Sequence, residues 1–385
     1  MSENRLGGVA ALALIAGLGT TAVAADTKAE VAALEARIAA LENAQTAPRP
    51  GGPLRFNVSS NTELQLYGFI RFEAFYDFDT EQGDLTRISR IGDPAFDTDG
   101  EFETSVRVSR LGVRSKTQTD FGDIGVQLEF DLFSGSDTTT SPNPRLRHAN
   151  VTIDDRWLFG QFWTNFMPLV HYPTTADFNG PVGITFARVP QIRYTHSLGN
   201  GLQFSASIEE ANGGSSDPVV TAAAFYQGNN YSARIAGLVG TIDDGANDLN
   251  TSGLTLSGSF SPWQGGTFSG TFVTGQGLGN LLIGGGAQAV GGVENDVDGF
   301  TLEYRHELTD SLTVGLAYGN ESYDLATTTA TGATFTDLET IHLNAFYRPV
   351  PNLTIAGEYI RGERTDAAGA TFDADRLGAS ITFSF

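Results

Sequence analysis

From Glu63 to its C-terminus the chain alternates in side-chain character with a period of two. In the first run Leu64, Leu66, Gly68, Ile70, Phe72, Ala74, Tyr76 and Phe78 are apolar or small, while a mixed set, Gln65, Tyr67, Phe69, Arg71, Glu73, Phe75 and Asp77, stands between them. Successive side chains of a strand point to opposite faces, so this period marks a strand with one oily and one polar face. The run is roughly 15 residues long, against about 5–6 for a strand of a soluble sheet. The pattern returns at Ile124–Leu132, Leu202–Ile208, Phe300–Tyr304, Leu312–Tyr318 and Leu377–Phe385. Connections alternate as well. Short turns fall at 154–155, 198–201, 227–230, 261–266, 309–310 and 349–352, and long links at 80–101, 134–144, 164–189, 211–218, 242–252, 278–296, 324–336 and 364–374. Counting runs gives about 16 strands, within the range of outer-membrane barrels.

These features predict an all-β fold, a transmembrane antiparallel β-barrel over residues 63–385. In hydrocarbon every unpaired backbone group costs several kcal/mol, so a spanning sheet must close on itself. A soluble barrel or sandwich would invert the arrangement and hide its apolar face inside. Strand length, loop asymmetry and the character of the N-terminus weigh against that inversion.

The N-terminus reads as an export signal over residues 1–25. Arg5 precedes an uncharged run, Leu6–Gly19, which is too short to span a bilayer. Ala22-Val23-Ala24 or Val23-Ala24-Ala25 then supplies a small-residue cleavage site. Residues 26–47 form a heptad helix with Val31, Leu34, Ile38 and Leu41 at a and d positions. Arg37 and Glu42 fall at g and e positions, suited to an interchain ion pair, whereas Glu30 and Glu35 would repel. So short a coiled coil is marginal alone and needs tethered partners, a lone amphipathic helix being the alternative. Residues 48–62, with Pro48, Pro50, Gly51, Gly52 and Pro53, make a spacer. At the other end Phe383-Ser384-Phe385 closes an alternating strand, and terminal Phe385 resembles the assembly signal read by the barrel assembly machinery of bacterial outer membranes.

Composition narrows the chemistry. The chain has no cysteine and a net charge of -22, which excludes thiolate metal sites, thiol nucleophiles and nucleic-acid binding through a basic surface. The histidines His148, His171, His196, His306 and His342 are scattered, and no metal-ligand spacing occurs. His148 lies near Asn150, but no serine pairs with it. The reading is therefore a non-enzyme without cofactor or metal.

Of 23 basic residues only Lys28 and Lys116 are lysines. Arg71, Arg107, Arg110, Arg114, Arg145, Arg147, Arg188 and Arg193 lie in or beside the first six strands. A charge facing lipid at the midplane costs about 2–4 kcal/mol, so arginines on the polar phase belong in the lumen. Arg71, Arg110, Arg114 and Arg193 have that phase. Arg145 and Arg147 share the phase of Ala149, Val151 and Ile153, so they either rise above the bilayer or are turned inward by a bulge. Such a wall attracts anions and grips carboxylates, unless Glu73, Glu129 and Asp131 balance it. The link 164–189 holds Phe166, Met167, Leu169, Val170, Tyr172 and Phe178, too apolar for a solvated loop. It folds into the lumen as a constriction or packs on a neighbouring subunit. Asp177 in this link is a further candidate for solute contact. The other acidic links, rich in residues such as Glu81, Asp84, Asp93 and Asp243, read as solvated charge.

Leu66-Tyr67-Gly68-Phe69-Ile70-Arg71, Ser109-Arg110-Leu111-Gly112-Val113, Leu146-Arg147-His148-Ala149, Phe159-Gly160-Gln161, Trp163-Thr164-Asn165-Phe166-Met167, Asp177-Phe178-Asn179-Gly180-Pro181 and Gln191-Ile192-Arg193-Tyr194 together resemble the DcaP-like porin family, as does the leading coiled coil. The similarity is dense over 64–198 and thin beyond. It implies a homotrimeric channel in the outer membrane of a Gram-negative bacterium, among outer-membrane lipids. It also implies an internal third loop, a basic wall and passage of small anionic solutes, including aromatic dicarboxylates. By motif Arg71, Arg110, Arg147 and Arg193 carry over as solute contacts; Arg114 and Arg188 enter on strand phase. The expected function is passive diffusion through an arginine-lined constriction. A structural barrel tethering the envelope through its periplasmic helix is the alternative, and deletion of 26–47 separates the two.

Overall fold

The computed structural model describes residues 54–385 except 136–141, 213–214, 216, 244–247 and 327–333. The export signal and the helix with Val31, Leu34, Ile38 and Leu41 lie outside the described residues. The barrel begins at Thr62, and the end of the expected spacer corrects to structure: Leu54–Ser59 is a strand paired with Thr62–Leu66. Its alternating Leu54 and Phe56 continue the oily face of the next strand, which is why the segment adheres there instead of hanging as a linker.

The chain forms a sixteen-stranded closed antiparallel barrel. The sheet contains 18 strand segments, of which Leu54–Ser59 is an addition at the seam and Glu101–Ser105 continues Arg110–Thr119, since both pair with the first strand, Thr62–Asp77. Neighbours in sequence are neighbours in the sheet, and the last strand, Thr371–Ser384, pairs with the first from Phe69↔Ser384 to Asp77↔Arg376. Gly68 takes the closing residue: its N–H donates to the Phe385 carbonyl at 3.1 Å and its carbonyl accepts from the Phe385 N–H at 3.0 Å. A Cβ on Gly68 would stand 2.3 Å from the Arg110 carbonyl oxygen, so only glycine fits this junction.

The period of two sorts side chains as a bilayer-facing wall requires. Ile70 is 61% exposed while its neighbour Arg71 is 2% exposed, and the same contrast runs around the sheet. Outward aromatic residues gather near the short-turn end, as in Trp157 with Tyr194 at 4.7 Å and Phe268 with Tyr304 at 4.6 Å. Rings with a polar edge suit the membrane interface. Asp154 and Asp155 hold φ of 53° and 54°, the paired positive angles of a tight hairpin turn. Long links occupy the opposite end.

Candidate functional site

After Trp163 the chain leaves the wall and crosses the inside of the barrel until Arg188. Three kinds of side chain make it do so. Phe166, Met167, Leu169, Tyr172 and Ile184 are buried among themselves, Trp163 and the wall. The carboxylate of Glu209 accepts from Thr164 Oγ1 and from the Asn165 N–H at 2.7 Å, fixing the start. Further along, wall carboxylates receive backbone N–H groups: Glu303 from Thr174 at 2.9 Å, Glu358 from Asp177, and Glu321 from Gly183 at 3.1 Å. These carboxylates satisfy donors that would otherwise be buried unpaired. Gly299 and Gly319 leave the groove in which the returning segment lies, since a Cβ at Gly319 would sit 2.2 Å from the Val182 carbonyl oxygen. The apolar residues that marked this link are thus covered by its own barrel.

Two further links also fold inward, 80–101, which corrects its reading as solvated charge, and 278–296. In 80–101, Ile88 and Ile91 are buried, and Asp84 is a buried partner of Arg107 at 2.9 Å. Thr86 donates to Asp177 of the third loop. In 278–296, Leu278, Leu281 and Leu282 are buried. The Ile283 N–H donates to the Ile184 carbonyl at 3.1 Å, and the Phe186 N–H to the Leu281 carbonyl at 2.7 Å. The signal for both was present as small apolar groups, Ile88 with Ile91 inside a polar stretch and Leu281-Leu282-Ile283 inside a glycine-rich one.

The bulge decides the placement of Arg147. Glu129 pairs with His148 and the next residue, Phe130, pairs with Leu146, so Arg147 is the extra residue and turns inward with its neighbour. Its guanidinium reaches Glu129 at 2.7 Å and Asp131 at 3.1 Å. Arg145 also faces in and pairs with Asp131 at 2.7 Å. Arg110 stands 3.4 Å from Glu129, and Arg71 stands 2.7 Å from Glu73 and donates to the Ala176 carbonyl. Acids on the same or the neighbouring strand thus partner much of the arginine wall.

Arg188 differs. It lies directly across from Trp163 on the neighbouring strand, with its guanidinium 4.6 Å from the indole and 5.7 Å from the ring of Phe186. Among the described residues it makes no ion pair, and its buried Nη1 has no hydrogen-bond partner. Arg110, Arg145 and Arg147 share Glu129 and Asp131, three guanidiniums on two carboxylates, and Arg188 stands beside them. Arg193 donates to Gln191 at 2.8 Å and to the Trp163 carbonyl, holding the point where the third loop departs. Arg114 lies 4.4 Å over the ring of Tyr67. Asp177 is buried, and its carboxylate accepts from Thr86 and from the N–H groups of Asn179 and Gly180, each of the latter at 2.9 Å. Those contacts give Asp177 a part in the loop's own fold.

Sequence reading missed Arg234, Arg305 and Arg348. All three are inward and half-buried on later strands. Arg234 donates to the Asn165 carbonyl, Arg305 to Thr174 Oγ1 at 2.8 Å and Arg348 to Thr313 Oγ1 at 3.1 Å. Their alternation with outward residues such as Ile235 and Tyr304 was the available signal. With Arg114 and Arg193 they line the half of the lumen nearer the short turns.

The DcaP outer membrane protein family model matches residues 45–242. The outer membrane channel DcaP of Acinetobacter baumannii superposes with a TM-score of 0.77 at 25% identity, covering 86% of this chain and 99% of that one. An anion-selective porin from Comamonas acidovorans gives 0.59 at 13% identity over 84% of this chain and all of that one, 100%. OmpF of Salmonella typhi gives 0.58 at 11% identity, over 86% and 100%. The latter two show the shared fold alone. No curated protein matches in sequence.

Proposed function

The chain belongs to the DcaP outer membrane protein family, and from that premise we propose that this outer-membrane porin passes small anions, carboxylates above all, by passive diffusion past Arg188. The observation that carries the reading is the Arg188 guanidinium, stacked on Trp163, lacking a carboxylate and set beside a cluster with surplus positive charge. The paired arginines Arg71, Arg110 and Arg147 shape the field, while Arg188 offers a donor to a passing anion. Arg114 and Arg193 extend the positive path below the third loop, and Asp177 keeps that loop in place.

The surroundings suit planar aromatic acids. Arg147 lies 5.5 Å from the Trp163 ring and 5.8 Å from that of Phe178, and Arg145 lies 5.0 Å from that of Phe133. A solute ring can join these stacks while its carboxylate meets Arg188. Retention must stay weak enough for release. In the same proposal the functional unit is a homotrimer whose 26–47 helices bundle in the periplasm through Val31, Leu34, Ile38 and Leu41, and Phe385 addresses the chain to the barrel assembly machinery.

Reversal potentials across planar bilayers in a salt gradient test the reading. At about 4 Å a unit charge is worth about 1 kcal/mol to a counter-ion in water and about 4 kcal/mol in a partly desolvated site. Arg188→Gln should therefore lower the anion-to-cation permeability ratio at least about fivefold. Cation preference in the unmodified protein would overturn the proposal.

A further inference from the structure

Phe159 and Gln161 of the Phe159-Gly160-Gln161 motif take the phase that faces away from any solute, and the geometry points to a role for Gln161. Gln161 pairs with Ala149 one step beyond the outward pair Val151↔Phe159 and the inward pair Asn150↔Gly160, so its side chain belongs to the bilayer-facing phase. A glutamine on that face is costly unless its amide is occupied. It is occupied: Nε2 donates to the Leu146 carbonyl at 3.2 Å and to the Arg147 carbonyl at 2.9 Å.

Those two carbonyls belong to the bulge. The ladder between Asn143–Ile153 and Trp157–Trp163 stops at Ala149↔Gln161, so beyond it the carbonyls of Leu146 and Arg147 have no strand partner in that ladder. A single side-chain amide, with its two hydrogens, takes the place of the missing ladder bonds. Gly160 makes room for this arrangement. Its φ is +126°, and a Cβ there would stand 2.2 Å from the Ala149 carbonyl oxygen. Asn150 Nδ2 completes the clamp by donating to the Gln161 carbonyl at 3.4 Å.

We infer that Gln161 is a positioning residue for the solute path: from the outer face of the barrel it holds the bulge that turns Arg147 inward beside Arg188. The bulge has a regular alternative, in which Arg147 keeps the outward phase of Ala149 and Val151. With Gln161 in place the irregular backbone is satisfied; without it, two carbonyls lose their donor and the bulge loses part of what holds it against the regular register. The inference builds on the anion reading for its functional meaning, but the geometry of Arg147 can be read separately.

The chain has no cysteine, so a single Arg147→Cys reports where position 147 points. In refolded, vesicle-inserted protein this thiol should react with a water-soluble charged methanethiosulfonate through the lumen. Adding Gln161→Met, or Gln161→Asn, which keeps the amide but shortens its reach, should slow that reaction at least tenfold. Equal rates with and without either change in folded barrels overturn the inference. In the cysteine-free protein Gln161→Met should shift the anion-to-cation permeability ratio in the same direction as Arg147→Gln, and should add nothing further in the Arg147→Gln background. A shift with Arg147→Gln and none with Gln161→Met also overturns it. If Arg147→Gln itself leaves selectivity unchanged while the thiol reaction slows as expected, the anion reading of this cluster fails and the positioning of residue 147 by Gln161 stands.

Discussion

Replacing Arg376 by methionine should destabilise the barrel by about 3–5 kcal/mol, the usual loss when one partner of a buried pair is removed. Arg376 is 0% exposed and sits opposite Asp77 where the last strand meets the first. Its Nε reaches Asp77 Oδ1 at 2.6 Å and its Nη2 reaches Oδ2 at 2.9 Å, a two-pronged contact across the seam. The same guanidinium donates to the Gly83 carbonyl and to Thr86 Oγ1, and lies 4.5 Å over the ring of Phe75. Methionine keeps part of the stacking volume but leaves the Asp77 carboxylate with only the Gln82 N–H, at 2.9 Å, among these partners. An unpaired buried carboxylate, more than the lost attraction itself, sets the size of the effect. The double variant Asp77→Leu with Arg376→Met removes both charges and should return to within about 1 kcal/mol of the parent. Urea unfolding of protein folded into lipid vesicles, followed by the fluorescence of Trp157, Trp163 and Trp263, measures all three. A loss below about 1 kcal/mol for the single variant, or a double variant worse than either single one, would refute the reasoning.

Two further outcomes concern the loop inside the lumen. Glu209→Gln weakens charge-assisted bonds worth about 1.5–3 kcal/mol each at the start of the third loop, so single-channel recordings should show higher and noisier conductance; a quiet, unchanged current argues against Glu209 as the anchor. Gly319→Val drives a side chain into the Val182 carbonyl oxygen, 2.2 Å from the position of the new Cβ. It should lift the returning segment from the wall at an overpacking cost of about 1–3 kcal/mol, visible as an altered conductance in a barrel that still assembles.

The barrel was legible because the membrane imposes one rule on every strand: Ile70 outward, Arg71 inward, and so on to Phe383 and Ser384. The third loop was legible because Phe166, Met167 and Leu169 could not face water. Arg147 resisted because its phase is set by a one-residue bulge, and a bulge leaves little trace in a pattern whose period is two. The inward course of 80–101 was hidden by its polar majority and that of 278–296 by its glycines, although a handful of residues such as Ile91 and Leu278 anchors each. Arg107 shows why charge totals mislead: its partner Asp84 comes from a link that looked merely solvated. The separate standing of Arg188 required knowing which acids the other arginines already hold.

The junction of Gly68 with Phe385 has a consequence for how the protein comes into being. The wall's first and last staves are remote from each other along the chain, and neither has its full set of hydrogen bonds until they meet. A chain stopped one stave short would present two open borders to the bilayer, with nothing in between to zip them. The architecture thus inspects its own closure: only a polypeptide whose last stave reaches the first can become a sealed cylinder.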